Sequence, residues 1–111
     1  MRVDLSLGEH LRLVAVPDTG RGEQNDYLIA LSGSLERTRW AATADAIRDF
    51  FVPGGSVVLD LTGIESYDPS TTADLFALRR EATKIGVRFV FSGTPAASTV
   101  HLQRHVELTT S

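Results

Sequence analysis

The groups in this 111-residue chain that could do chemistry are three histidines, scattered carboxylates and a run of hydroxyl side chains near position 70. Hydrolysis by a nucleophile needs an activated serine, a base and an oxyanion donor. Ser70 lacks the Gly-x-Ser-x-Gly setting, and no motif ties His10, His101 or His105 to it. The glycine-rich phosphate loop that ends in Lys-Ser/Thr is absent, and Gly93 reads as a lone turn residue after a strand. His101 and His105 stand four apart, but zinc wants at least one more ligand, and Leu102, Gln103 and Arg104 fill the interval. Their spacing is expected to be a solvated helix face. Asp60, in an apolar run, is expected at a strand end, bonded to backbone groups. The sequence thus points to no catalytic residue, no metal site and no cofactor.

The stretch from Asp60 to Leu75 is different. An apolar strand runs into an acidic loop, and then Asp68-Pro69-Ser70-Thr71-Thr72 opens a helix. Asp68 suits the cap and Pro69 the first helical position, where a missing N–H loses nothing. A phosphate on Ser70 would sit by the free N–H groups and positive end of the helix dipole. It would leave the helix intact yet put nearly two negative charges on an exposed surface. A partner packing there would meet repulsion and the cost of stripping water from the phosphate. Residue chemistry leaves a second reading open, in which Asp68, Ser70, Thr71 and Thr72 only cap the helix.

The elements that must position this stretch follow from periodicity. Leu11, Leu13 and Ala15 alternate along a strand over 11–16, and residues 17–26, rich in turn formers, predict a loop. A second strand over 27–31 pairs antiparallel with the first as a long-looped hairpin. Trp40, Ala44, Ile47 and Phe51 recur at helical spacing until Pro53-Gly54-Gly55, which predicts an amphipathic helix with Trp40 buried. Residues 56–61 predict a central parallel strand. In the next helix Leu75, Leu78, Ala82 and Ile85 form the buried stripe, and Gly86 suits the left-handed position past its end. A strand over 87–91, a short helix over 96–104 and an edge strand or tail over 106–108 complete the order. The expected architecture is α/β. A single domain over 1–111 has a mixed, mostly parallel sheet with one antiparallel N-terminal strand at an edge, packed by three to four helices.

Composition bounds the function. Apolar residues make up 42% and charged residues 23%, enough for one core, and the net charge is −3. The balance argues against nucleic acid, which needs a dense basic face, and Arg79-Arg80 reads as a solvated helix face. There is no cysteine, which excludes disulfides and thiolate metal sites. No signal-peptide pattern and no run of about 18 apolar residues occurs, so a soluble, cytoplasmic domain without membrane insertion is expected.

Three segments in order resemble the STAS domain, the family shared by anti-sigma-factor antagonists and the cytoplasmic tails of sulfate transporters. Residues 28–36, Leu-Ile-Ala-Leu-Ser-Gly-Ser-Leu-Glu, resemble the family's strand followed by Gly-Glu-Leu-Asp. Residues 57–61 followed by Asp68-Pro69-Ser70 resemble its central strand and Asp-Ser-Ser-Gly-Leu phosphorylation motif. Residues 88–93 followed by Pro95 and Val100 resemble its last strand and helix. The resemblance implies a partner-binding protein without catalysis of its own. It binds an anti-sigma factor of serine-kinase fold, is released on phosphorylation at Ser70, and is restored by a phosphatase. Asp68 and Glu36 fall on acidic positions of the pattern, so the implied binding residues are Glu36, Asp68, Ser70, Thr71 and Asp74. The pattern departs at Pro69, which stands for a serine, at Thr71 for a glycine and at Thr72 for an apolar residue, while Asp74 adds a negative charge. Thr71 or Thr72 is the implied phosphoacceptor if Ser70 is silent. The same family implies an alternative, a non-switching accessory subunit of a membrane complex for lipid or anion transport. An enzyme built on Asp60, Asp68 and a histidine is the third reading.

Overall fold

Strict alternation of apolar and polar residues turns one row of side chains to each face of a strand. In the computed structural model, which describes residues 2–18 and 25–93, this alternation builds a five-stranded sheet. Strand β1 spans Val3–Ser6, β2 Leu11–Pro17, β3 Asp26–Leu35, β4 Ser56–Tyr67 and β5 Arg88–Ser92. They lie side by side in chain order. Helix α1, Trp40–Arg48, follows a short 3-10 turn, Arg37–Arg39, and joins β3 to β4. Helix α2, Thr71–Lys84, joins β4 to β5. Two successive right-handed crossovers running the same way along a sheet place both helices on one face. Leu11, Leu13, Ile29, Leu31, Leu59 and Leu61 from the strands meet Ala44, Ile47, Leu75 and Leu78 from the helices in one buried cluster. Arg48 of α1 reaches across to Glu81 of α2 at 2.7 Å.

The pairing differs from the expected one. β1 and β2 are antiparallel, as are β2 and β3, whereas β3–β4 and β4–β5 are parallel. Half of the pairings are therefore antiparallel, the sheet is not mostly parallel, and the antiparallel strand β2 lies inside the sheet rather than at its edge. The edge is β1, which the sequence reading passed over although Val3 and Leu5 alternate with Asp4 and Ser6. Asp4 holds the Arg12 guanidinium of β2 in a two-pronged pair across the strands. The hairpin of β2 and β3 forms as expected, but the strands extend to Pro17 and from Asp26, so the loop between them is shorter.

Two α-helices, not three to four, lie among the described residues. The helix expected over 96–104 and the strand over 106–108 lie outside them, as do His101 and His105. α1 buries Ala44 and Ile47 as expected, while Trp40 and Phe51 are only half-buried and Phe50 is buried in addition. In α2, Leu75, Leu78 and Ala82 are buried but Ile85 is exposed. The helix ends at Lys84, Gly86 takes φ +83°, and Val87 turns inward in place of Ile85 with its N–H on the Ala82 carbonyl.

β4 runs twelve residues, twice the expected length. Ala30 pairs with Asp60 and Ser32 with Gly63, then Gly33 with Ile64 and Ser34 with Ser66. Each step carries one extra residue in β4, a pair of bulges that breaks the alternation and hides the strand from a period-2 reading. Asp60 stabilises the first bulge: its carboxylate accepts the Thr62 N–H at 2.9 Å and the Thr62 hydroxyl at 2.7 Å. At the end of the β2–β3 hairpin Gly33 has φ +100°, and a Cβ there would lie 1.8 Å from the His10 carbonyl oxygen. Only glycine permits that approach, which lets the Ser34 N–H donate to His10 O.

Candidate functional site

The long pairing of β3 with β4 brings two loops together at the carboxyl ends of the parallel strands. Ser34 pairs with Ser66 and Leu35 with Tyr67, and beyond them the Asp68 N–H donates to the Leu35 carbonyl at 3.1 Å. From that bonded pair one chain continues into Glu36 and the 3-10 turn, the other into Pro69, Ser70 and α2. Ligands of open α/β sheets gather at this end of the strands. Glu36, Asp68, Ser70, Thr71 and Asp74 thus come from adjacent segments of one corner of the fold.

Asp68 organises the start of α2. Its carboxylate accepts the Ser70 N–H at 2.9 Å, and its carbonyl accepts the Thr71 N–H at 2.9 Å and the Thr71 hydroxyl at 2.6 Å. The Pro69 carbonyl takes the Thr72 N–H at 3.1 Å. Asp68 therefore holds the turn that leads into α2, but the cap lies two residues later than the sequence predicts: Ser70 is the N-cap, without a side-chain cap bond, Thr71 is the first helical residue, and Pro69 sits in the preceding turn. The backbone N–H and hydroxyl of Ser70 hold the Asp68 carboxyl below its ordinary range, helped by the Arg37 charge on the neighbouring turn. The N–H groups of Ser70, Thr71 and Thr72 are consequently all engaged. Three of the donors that the sequence reading placed beside a phosphate on Ser70 are already taken by Asp68 and Pro69.

The three hydroxyl residues separate by exposure. Ser70 and Pro69 are exposed, whereas Thr71 is 0% and Thr72 5% exposed. Thr71 lies four residues before Leu75 and seven before Leu78, on the stripe that faces the core. Asp74 is half-buried in the first turn, and Glu36 and Arg37 are exposed on the facing turn. Sequence reasoning missed Arg37. Its signal was position alone: it follows Glu36 as Pro69 and Ser70 follow Asp68.

The residues of the enzyme reading stand apart in role. Asp60 is committed to Thr62, and Asp68 to the start of α2. His10 sits on the turn before β2 beside Glu9. Among the described residues no group of three metal-binding side chains occurs, and no helix is long and apolar enough to cross a membrane.

The site and sheet define a class of fold before any particular relative. That class is an α/β fold with a mixed sheet in chain order, two crossover helices and a serine at the start of the second helix. Among solved structures, the chain is similar to the crystal structure of an anti-sigma factor antagonist from Mycobacterium paratuberculosis. The match covers 96% of this chain and 82% of that one, with a TM-score of 0.55 and 16% sequence identity. No protein-family model matches the sequence, and no curated protein does. At that identity the likeness is one of fold.

Proposed function

We propose that this chain is a non-catalytic, protein-binding regulator of the anti-sigma-factor antagonist type. It binds an anti-sigma factor of serine-kinase fold through the corner formed by Glu36, Asp68, Ser70 and Asp74, while Thr71, implied by the resemblance as a contact, is buried and supports the helix start from within. Phosphorylation of Ser70 releases that partner. The γ-phosphoryl group of a nucleoside triphosphate passes to Ser70 Oγ, the hydroxyl proton leaves, and the diphosphate departs; a phosphatase reverses the state by hydrolysis. The observation that carries this reading is the exposed Ser70 at the hydrogen-bonded start of α2, beside buried Thr71 and Thr72, in a fold shared with a solved anti-sigma factor antagonist. A kinase can reach the Ser70 hydroxyl with the helix folded, whereas reaching Thr71 or Thr72 requires the helix start to open. A dianion at Ser70 changes the charge of the corner without displacing buried side chains.

The test is capture from native lysate with wild type, Ser70→Ala and Ser70→Asp, read by mass spectrometry with phosphosite mapping. The expected result is a serine-kinase-fold anti-sigma protein held by wild type and Ser70→Ala and lost with Ser70→Asp. Equal retention by all three forms, with Ser70 unmodified in cells, would refute the switch.

A further inference from the structure

We infer that Arg37, on the turn after β3, is the counter-charge for a phosphate on Ser70, and that its engagement carries the modification from α2 to the turn bearing Glu36. The inference rests on the reading of Ser70 as phosphoacceptor and adds how that site responds.

The usual seat for a phosphate at a helix start is the set of unpaired N–H groups. Here the Ser70 N–H goes to the Asp68 carboxylate, the Thr71 N–H to the Asp68 carbonyl and the Thr72 N–H to the Pro69 carbonyl. The nearest acidic neighbours add repulsion: Asp68 is the side-chain partner of Ser70, and Asp74 lies one turn along. A phosphate replaces the hydroxyl donor that Asp68 now receives with like charge. A cation from another segment is needed, and the facing turn supplies one. Leu35 and Asp68 are joined by a backbone hydrogen bond, and Arg37 and Ser70 each lie two residues beyond that joint. Arg37 is exposed, and its charge acts on the Asp68 carboxylate. Among the described residues no side-chain hydrogen bond or salt bridge holds it, whereas Arg12 is committed to Asp4 and Arg48 to Asp45 and Glu81. A guanidinium meets a phosphate with two parallel N–H donors, a stronger pairing than the unbonded attraction it now exerts on Asp68. Moving to Ser70 shifts the turn that begins with Glu36, so a partner reads a change on both sides of the corner.

The test uses the full chain with phosphoserine installed at position 70 during synthesis, so neither kinase nor anti-sigma partner is required. Phosphorus NMR gives the second ionisation of the phosphate in the otherwise wild-type protein, in Arg37→Gln and in Arg39→Gln. The groups that bear on it are Asp68, Asp74, Glu36 and Arg37. An opposite charge favours the dianion, so Arg37→Gln is expected to raise that pKa by roughly 0.2–0.7 unit at low salt, the size of an exposed pair. Arg39→Gln, whose side chain packs beside Gly8 instead, is expected to leave it unchanged. Amide resonances of Glu36 and Arg37 are expected to move on phosphorylation in wild type and to stay in Arg37→Gln. Equal phosphate pKa values in wild type and Arg37→Gln would overturn the inference, as would a shift matched by Arg39→Gln. Failure here leaves the capture experiment standing, and failure of capture leaves this titration interpretable.

Discussion

Replacing Gly33 with alanine tests the account of how the β2–β3 hairpin closes beneath the site. The added Cβ would lie 1.8 Å from the His10 carbonyl oxygen, and backbone faces backbone, so no flexible side chain can yield. Ordinary carbon-to-oxygen contacts begin near about 3.3 Å, so the two strands must part by roughly 1.5 Å. That movement breaks the bond from the Ser34 N–H to His10 O, a loss of about 0.5–1.5 kcal/mol. Holding alanine at φ +100° adds about 1–2 kcal/mol, partly offset by the stiffer unfolded chain. With the strand ends displaced, the expected total is about 3 kcal/mol, a large share of a typical small domain's stability. Gly54→Ala is the matched control. Gly54 has φ +89° but nothing within 4 Å of an added Cβ, so it isolates the backbone strain, about 1 kcal/mol net. Urea unfolding followed by fluorescence of Trp40, the single tryptophan, measures both variants. Equal losses would refute the close-approach argument and leave only the left-handed backbone to explain Gly33.

Two further perturbations probe the site and the core. Because Ser70 and Arg37 lower the Asp68 pKa from 3.8, Asp68 contributes stability that is present above the unfolded value and lost as pH falls through the folded one. Asp68→Asn is therefore expected to destabilise at pH 7 and to flatten the fall in stability below pH 4, and an unchanged acid limb in urea titrations would contradict this role of Asp68. Leu59→Ala, at a fully buried position of β4, is expected to cost about 2–5 kcal/mol in the same assay.

Much of this fold is written in periodicity, and the gaps have physical causes. Leu11-Leu13-Ala15 and Val57-Leu59-Leu61 alternate cleanly because they lie under the helices. The upper half of β4 was unreadable because two bulges reset its period between Asp60 and Ser66. β1 was legible in Val3 and Leu5 and was missed because four residues with two polar ones look like a terminus. Ile85 failed for a different reason. The stripe extends in sequence, but the helix stops before it, and Val87 completes the core from the next element. At the candidate site, the exposure of Ser70 at a helix start was visible, but the cap falls on Ser70 rather than Asp68, because Pro69 and Ser70 form a turn before the regular helix. The inward turn of Thr71 was visible too, since Thr71, Leu75, Leu78 and Ala82 follow the spacing four, three, four; the hydroxyl drew attention from the position. That the turn bearing Arg37 starts beside the one bearing Ser70 was hidden, because it depends on the pairing of Leu35 with Tyr67 across a crossover.

The sheet has its strands in the same order as the chain. Every strand after the first is laid against the one made just before it, and none has to be threaded between two already in place. As residues leave the ribosome, each new strand finds an open edge waiting for it, so assembly can advance from the N-terminus without undoing earlier pairings. Connections of this length keep the loop-closure entropy of each step small and the contact order low for a sheet that contains parallel pairs. The Ser70 corner, which needs β3, β4 and the start of α2, is complete before β5 is added. The order of synthesis thus builds this corner ahead of β5, the last strand among the described residues.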